Sequence, residues 1–519
     1  MSTKRVEVAA GELQLGMPDR IKSWLPIILP ILVALAFILI RWFGGERGFL
    51  YEGALTMLAF ICYVSAAVLL VTNLFVKEEV LGRLGLLTTA MGYSFGLSGW
   101  MIRWREAYEL ELSKAPHLEG QVSLWRYFPL DNLYSLTLGF CCGAVLATLV
   151  VIRKPAWRSL GALSMPIVSV ILALNIFLGN EIRPLPPILD SYWRPIHVSI
   201  ATISYGVCLL SFGIAVAYLL KDGVKTEALA IAMALYGLLV YGTVGRFRVP
   251  FGEYAASLVI GKTSYPVRAV LPAVGPLMLV TALVILSALI LFIAGWRDDR
   301  QGLRKLAWRA FSAAAALQAL VLAVLFYQIH NVRDPIWRIP EREYAEFGPW
   351  LAKNMELNIP INRQIELAHS WVSKNAASLR LSVNSNPVEF GALLGLFVAL
   401  VLVLLIARKR EEVNSQLPSL QTLDSLLYKT VGVAFPGLTL LLITGAVWAN
   451  ESWGRYWGWD PKEVGALVAW MAYAGYLHTR IAHGWRGRRS AYFALLGFVL
   501  VIFTWLGVSY LLPGLHSYA

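Results

Sequence analysis

Thirteen runs of about twenty predominantly apolar residues follow one another along this chain, and that is the length a helix needs to cross the hydrocarbon core of a bilayer. They lie at 23–43, 53–76, 83–102, 130–152, 159–179, 196–220, 226–245, 270–295, 310–329, 389–407, 429–449, 463–482 and 491–511. Backbone N–H and C=O groups within hydrocarbon must be satisfied inside their own segment, so each run reads as a helix. The expected fold is an all-α polytopic membrane protein with about thirteen transmembrane helices. At 58% apolar and 15% charged residues over 519 positions, a soluble class does not fit.

Charge placement gives the expected orientation. The formal charge of +13 comes from basic residues set between the spans, as in RKPAWR at 153–158 and GWRGRRS at 484–490, and leaves no nucleic-acid footprint. Once the long loop 330–388 is discounted, the short basic loops read as inside. The N-terminus is then inside and the C-terminus outside. The first twenty residues lack a signal-peptide cleavage pattern, so the first span is expected to remain as an anchor. Cys62, Cys141, Cys142 and Cys208 all fall in apolar runs, and no CxxCH is present, so the chain is not itself a c-type cytochrome.

The stretch from Ala446 to Arg480, AVWANESWGRYWGWDPKEVGALVAWMAYAGYLHTR, carries the densest chemistry. Trp448, Trp453, Tyr456, Trp457 and Trp459 crowd a glycine-containing polar loop, which suits either an aromatic belt at the membrane interface or a platform for a flat aromatic ligand. Asp460, Pro461 and Glu463 form a capping-box pattern with proline at the first helical position, so the loop joins the next helix rigidly. His478 then lies roughly 27 Å further along that helix, near the opposite bilayer face.

Depth sorts the histidines. His117, His197, His330, His369 and His516 fall outside, and His478 and His483 inside. A single histidine is most often a solvated or hydrogen-bonded residue. His197 and His516 stand out because each sits at a span end beside a proline, in WRPIHVSI and LLPGLHSY, on the same side as the tryptophans. By depth alone His330 is a rival.

Three separated blocks now resemble one family. The tryptophan stretch is similar to the WWD signature of the CcsA (ResC) proteins of System II cytochrome c biogenesis, part of a haem-handling superfamily that includes CcmC and CcmF. WRPIHVSIATISYG resembles the block with the first external haem-ligand histidine, and WRGRRSAYFALLGFVLVIFTWLGVSYLLPGLHSYA the block with the second. Trp-Asp-Pro-Lys-Glu at 459–463 and Leu-His-Thr-Arg at 477–480 point to CcsA within the superfamily. Val464 and Gly465 depart from the Thr-Trp usual after Lys-Glu.

The resemblance implies an organisation. Residues 1–50 form an N-terminal tail and extra anchor span, 51–222 the first part of a CcsA-like core, 223–425 an inserted region with four spans and a long external loop, and 426–519 the WWD domain with the C-terminal histidine. The inserted loop carries residues at spacings compatible with short amphipathic helices, to dock the partner or the apocytochrome, or only to cover a lipid-facing surface.

It also implies a chemistry. Haem b, substrate and bound ligand at once, is held by His197 and His516 through its iron, with Trp448, Trp453, Tyr456, Trp457 and Trp459 against the macrocycle. His197, His516, Trp453, Trp457, Trp459 and Asp460 are the residues implied in the reaction; of the charged residues nearby that could orient the propionates or the incoming polypeptide, Asp460 reads first as the helix cap, and Lys462 and Arg455 rank low as specific ligands. His478 is the implied ligand of an inner haem site shared with a ResB/CcsB-like membrane partner. The implied function is that of a cytochrome c synthase subunit, a haem lyase acting in complex with that partner on apocytochrome c, served by a thiol-reducing system. The membrane is the cytoplasmic membrane or a thylakoid equivalent, with the WWD loop on the periplasmic or lumenal side. A haem exporter or presenting module without ligation activity, and a transporter whose tryptophans are only an interface belt, are the alternatives.

Overall fold

The structure is a computed structural model that describes residues 17–45, 48–114, 116, 123–179, 182, 190–244, 252–260, 263–331, 336–337, 341–375, 387–508 and 512. Sixteen α-helices carry most of them. Eleven are long and apolar enough to cross a membrane. The other two expected spans, at 83–102 and 463–482, also fold as helices, Glu79–Lys114 and Pro461–Ala482, with too many polar residues to meet the same measure. The helical membrane architecture read from the apolar runs is thus what the chain adopts. It divides into two compact units, one of residues 1–175, 180–224 and 409–519, the other of 176–179 and 225–408.

The first unit contains α1 (Met17–Gly44), α2 (Glu52–Val76), α3 (Glu79–Lys114), α4 (Leu133–Ile152) and all but the last turn of α5 (Gly161–Leu178). It also holds α6 (Trp193–Lys221). The sequence LYSLTLGFCCGAVLATLVVI is apolar all round, and α4 is correspondingly buried on nearly every side. Its start is fixed by Asn132, whose side chain accepts from the Ser135 amide at 2.9 Å. Against it lies α6, at a spacing only small residues allow: a Cβ on Gly143 would come within 2.9 Å of the Ile203 Cα.

Helix α3 runs twelve residues beyond its apolar stretch, through charges that would end a lipid-facing span. They are paired. Arg103 and Glu52, each 2% exposed, approach to 3.6 Å, and Arg103 also donates from Nε to Ser135 at 3.0 Å. Tyr134 donates to the same Glu52 carboxylate, and Arg41 holds Glu109 at 2.6 Å. Buried charges persist in an apolar bundle only when matched in this way. The four cysteines are free thiols.

In the second unit, α7 (Thr226–Val244) precedes a β-hairpin, β1 (Glu253–Ile260) and β2 (Thr263–Val270), paired antiparallel from Glu253↔Val270 to Ile260↔Thr263. Helices α8 (Val274–Arg297) and α9 (Gln301–Asn331) follow, then a two-residue edge strand β3 (Ile336–Trp337) paired with Val270 and Ala269. This small sheet was not expected from the apolar runs. The long loop after α9 forms two short helices, α10 (Glu341–Asn354) and α11 (Ile361–Asn375), packed through Phe347, Leu351 and Ala368 with Tyr265 of β2 against Phe347. Its amphipathic spacing is therefore real. Helix α12 (Pro387–Arg408) closes the unit, where Gln318 of α9 donates to the Leu393 carbonyl at 2.9 Å.

The first unit is completed by α13 (Arg410–Gln416), α14 (Leu420–Trp453), α15 (Pro461–Ala482) and α16 (Arg488–Ile502), the last continuing as a π turn, Phe503–Gly507. Arg480 and Trp470 of α15 are met by α14. Arg480 makes a bidentate pair with Asp424 of α14, at 2.8 and 2.6 Å, and Trp470 donates to Thr439 at 2.9 Å.

Candidate functional site

The first turns of α6, the last turns of α14, the loop that follows it and the first turn of α15 meet around one partly open cleft in the first unit. His197 and Arg194 reach it from α6, Gly445 and Trp448 from α14, Tyr456 and Trp457 from the loop, and Lys462 from α15. Trp505 of the π turn completes the wall and stacks on Phe140 of α4 at 4.7 Å, with the rings 5° apart. The surface is mainly aromatic and aliphatic, with a few charged groups at defined places, which is the make-up of a site for a flat, largely apolar ligand with polar ends.

The loop is shorter than its tryptophan spacing suggests. Helix α14 continues to Trp453, so Trp448 and Trp453 are helical, and their rings lie 6.1 Å apart. Gly454 then ends the helix in the left-handed conformation at φ 71°, donating its N–H to the Asn450 carbonyl at 2.9 Å. Trp459 also has a left-handed φ, 57°, which a tryptophan adopts only at a cost. Two carboxylates hold that geometry. Asp460 accepts from the Lys462 amide at 3.1 Å, while Glu463 accepts from Asp460 at 3.1 Å and from Gly458 at 2.8 Å, completing the expected capping box and extending it one step back into the loop.

The five aromatic side chains do not share one environment. Trp448 is 5% exposed and packs beside His197 at 5.7 Å between ring centres. Trp453, Tyr456 and Trp457 line the cleft, and Trp459, 73% exposed, meets Trp457 edge-on at 5.9 Å from outside the lining. Asp460 is buried beneath the loop as its helix cap and is not part of the cleft wall, and Arg455 is exposed.

His197 is held in one tautomer. Its Nδ1 lies 3.0 Å from the Leu441 carbonyl oxygen and 3.3 Å from Thr444 Oγ1. A carbonyl only accepts, so Nδ1 carries a proton, and in the neutral ring Nε2 is then the lone-pair nitrogen. Gly445 makes room for the ring: a Cβ there would lie 2.8 Å from His197 Cε1. A neutral imidazole oriented through Nδ1–H by a backbone carbonyl is the usual second-shell arrangement of a metal-ligating histidine. Together with aromatic walls and cations, this donor set fits an iron porphyrin.

The charges are distinct in kind. Arg194, 3% exposed, donates from Nη2 to the Arg126 carbonyl at 2.7 Å, and Arg126 pairs with Asp190 at 3.2 Å. Asp131 accepts from Ser135 at 2.9 Å. Burial pushes the Lys462 ammonium down to about 8, with the Asp460 carboxylate acting in the opposite direction.

The remaining histidines separate. His516 lies outside the described residues, as does His117. His478 is exposed near the far end of α15, where His483, the C-cap of that helix, meets it edge-on at 5.5 Å. His330 and His369 belong to the second unit; the first has Nδ1 at 2.8 Å from the Phe326 carbonyl and the second stacks on Tyr344 at 3.7 Å. No group of three metal-ligating side chains occurs among the described residues. Sequence reasoning passed over Arg194, although its position three residues before His197 put both on one helix face. At the Val464-Gly465 departure, a Cβ on Gly465 would come within 2.8 Å of Thr504 Oγ1, so a close helix contact occupies that place and the neighbouring Trp505 gives its ring to the cleft.

A family model described as "Cytochrome C assembly protein" matches residues 130–246 and 274–516, more than half of the chain. Among similar curated proteins are three named "Cytochrome c biogenesis protein CcsA". That of Guillardia theta is 59% identical over 99 residues, 19% of this chain and 33% of the relative. That of Mesostigma viride is 53% identical over 105 residues, 20% and 34% of the two chains. That of Gloeobacter violaceus is 56% identical over 98 residues, 19% and 29%. The chain thus matches about a third of the length of these relatives. No solved structure matches it.

Proposed function

This chain belongs to the cytochrome C assembly protein family, and from that premise we propose that it is the haem-presenting membrane subunit of a cytochrome c synthase. The observation that carries the reading is the fixed tautomer of His197, which aims chemistry at a metal by reserving Nε2 as the donor. Haem b is both substrate and ligand. His197 and His516 would hold its iron on the outer side of the membrane, each as an imidazole nitrogen donor. Trp448, Trp453, Tyr456, Trp457 and, at the rim, Trp459 supply faces and edges to the macrocycle.

The reaction is the addition of the two CxxCH thiols of apocytochrome c to the haem vinyl groups. For each, a sulfur–carbon bond forms, the vinyl double bond becomes single, and the thiol hydrogen ends on the other vinyl carbon, so the addition needs no oxidant. A thiol-reducing system keeps the substrate cysteines as thiols. The chain's own part is to hold haem in one orientation with a vinyl edge open to the substrate, and to set the redox state of the iron through two imidazoles. Asp460 acts through the loop it caps. His478 belongs to an inner site at the other membrane face, completed by a ResB/CcsB-like partner. The membrane is the cytoplasmic or a thylakoid-equivalent membrane, with the N-terminus inside, the C-terminus and tryptophan loop on the periplasmic or lumenal side, and residues 223–425 inserted in a core formed by 51–222 and 426–519.

Co-expression with an apocytochrome, with and without a ResB-like protein, tests the proposal. Covalent haem on the cytochrome only when both are present is the expected result. Bound haem on this chain with attachment proceeding equally well in its absence would support a presenting module without ligation activity instead.

A further inference from the structure

Resting on the haem-presenting reading above, we propose that Thr444 is a positioning residue behind the cleft, whose hydroxyl accepts the Nδ1 proton of His197 and so lowers the reduction potential of the haem iron that this imidazole holds. The reading above leaves the iron's redox state to two imidazoles; Thr444 is a side chain that adjusts one of them.

Thr444 stands on α14 three residues after Leu441 and one before Gly445. Its Oγ1 donates to the Leu440 carbonyl at 2.7 Å, the back-bond of a helical threonine, with the Leu441 carbonyl farther away at 3.4 Å. The same oxygen lies 3.3 Å from His197 Nδ1. A hydroxyl has one hydrogen. With that hydrogen committed to Leu440, Thr444 meets the ring through a lone pair and accepts from it. Nδ1–H thus has two acceptors on α14, the Leu441 carbonyl at 3.0 Å and the Thr444 hydroxyl. Thr444 is 8% exposed, so water has little access to replace it. A Cβ on Gly445 would stand 2.8 Å from His197 Cε1, which shows how closely the ring lies against α14.

Acceptors on Nδ1–H raise the basicity of the imidazole and make its other nitrogen a stronger donor to a metal. Ferric iron carries one more positive charge than ferrous iron and gains more from that donation. Each acceptor therefore favours the ferric state. The backbone carbonyl is supplied by whatever residue stands at 441, whereas the hydroxyl is specific to the side chain at 444. Thr430 of the same helix gives a comparison free of the imidazole. It too is 8% exposed and back-bonds, to the Leu426 carbonyl at 2.8 Å, but it stands fourteen residues, about four turns, nearer the helix start.

The midpoint potential of the bound haem, followed by absorption on the purified full-length protein, reads the effect. Thr444→Val keeps the branched shape and removes the acceptor. It should move the ferrous-to-ferric ratio at a given potential about three- to tenfold toward ferrous, the worth of one hydrogen bond, and so raise the midpoint by up to about 59 mV for this one-electron couple. Thr444→Ser, which keeps the hydroxyl, should stay within about twofold of the wild-type ratio, and Thr430→Val should leave it unmoved. If Thr444→Val holds haem too weakly for a redox titration, its affinities for ferric and ferrous haem give the same ratio, and the ferric affinity should fall further. A wild-type midpoint in Thr444→Val, an equal shift in Thr430→Val, or an equal loss of both affinities in Thr444→Val overturns the inference. When any of these accompanies a haem spectrum that depends on His197, the haem-presenting reading stands and Thr444 alone loses its role. A wild type that binds no haem, or whose haem spectrum is indifferent to His197→Ala, removes both.

Discussion

The Nδ1 of His197 lies 3.0 Å from the carbonyl oxygen of Leu441, so a backbone group of one helix decides which nitrogen of an imidazole on another helix carries a proton. The bond also ties the start of α6 to α14 four residues before the position where Gly445 makes space for the ring. Position and tautomer of the imidazole are thus set by one helix contact.

Gly445→Ala tests that contact. A methyl group there would stand 2.8 Å from His197 Cε1 and must push the ring out of place. The expected result is a loss of stability of about 1–3 kcal/mol, as for overpacking elsewhere, together with a weakened six-coordinate haem spectrum. Thermal unfolding and absorption of the same sample check both; an unchanged spectrum would mean that the ring has room to spare.

Asp460 is expected to act as a helix cap. Asp460→Ala should then cost about 1 kcal/mol and impair maturation through the loop, whereas Asp460→Asn, which can still accept the Lys462 amide, should keep both stability and maturation. Stable Asp460→Asn protein that no longer matures cytochrome would show that the carboxylate has a chemical task.

Lys462 gives the site a pH dependence whose sign is fixed. Burial lowers its folded-state value to about 8 from 10.5, so between those two values the unfolded chain binds more protons than the folded one. Stability therefore rises as pH increases across that window, and below about 8 both states are protonated and the cost of burial is constant. Lys462→Met should raise the melting temperature at neutral pH by a few degrees and flatten the rise above it. Melting curves from neutral to alkaline pH on both proteins decide the matter; parallel curves would contradict it.

Glu52 and Arg103 give a prediction about the fold itself. Each is 2% exposed, and removing one charge leaves the other buried. Glu52→Leu or Arg103→Met alone should cost about 3–5 kcal/mol, with the double variant recovering a large part. Yield of folded protein and unfolding in detergent measure this; additive losses would mean that the two side chains do not act as a pair.

That pair also marks how far the sequence could be read. Apolar runs located all thirteen expected helices, because lipid and buried interfaces impose the same apolar length on each. They missed the last turns of α3, since Arg103, Glu106 and Glu109 are acceptable in a helix only where Glu52 and Arg41 come from elsewhere to meet them. The hairpin of β1 and β2 was passed over as a loop between spans.

The site divides along similar lines. The capping box at Asp460 and Glu463 was legible because it is local, four residues long and chemically specific. The Leu441 carbonyl that orients His197 was not, because a backbone group leaves no trace in residue type. Arg194 was in plain view beside His197, yet its depth in the cleft follows from how α6 packs and not from its neighbours in sequence. His483 beside His478 could be foreseen in sequence distance but not in contact, which depends on where α15 ends.

The central claim is that His197 ligates haem iron, and the most direct measurement is the absorption spectrum of the purified full-length protein and its His197→Ala variant, each with and without added imidazole. The account predicts a six-coordinate low-spin haem spectrum for the wild type, its loss in His197→Ala together with cytochrome maturation, and recovery of the spectrum when imidazole fills the vacated position. A His197→Ala protein that keeps the wild-type spectrum and matures cytochrome normally would contradict it.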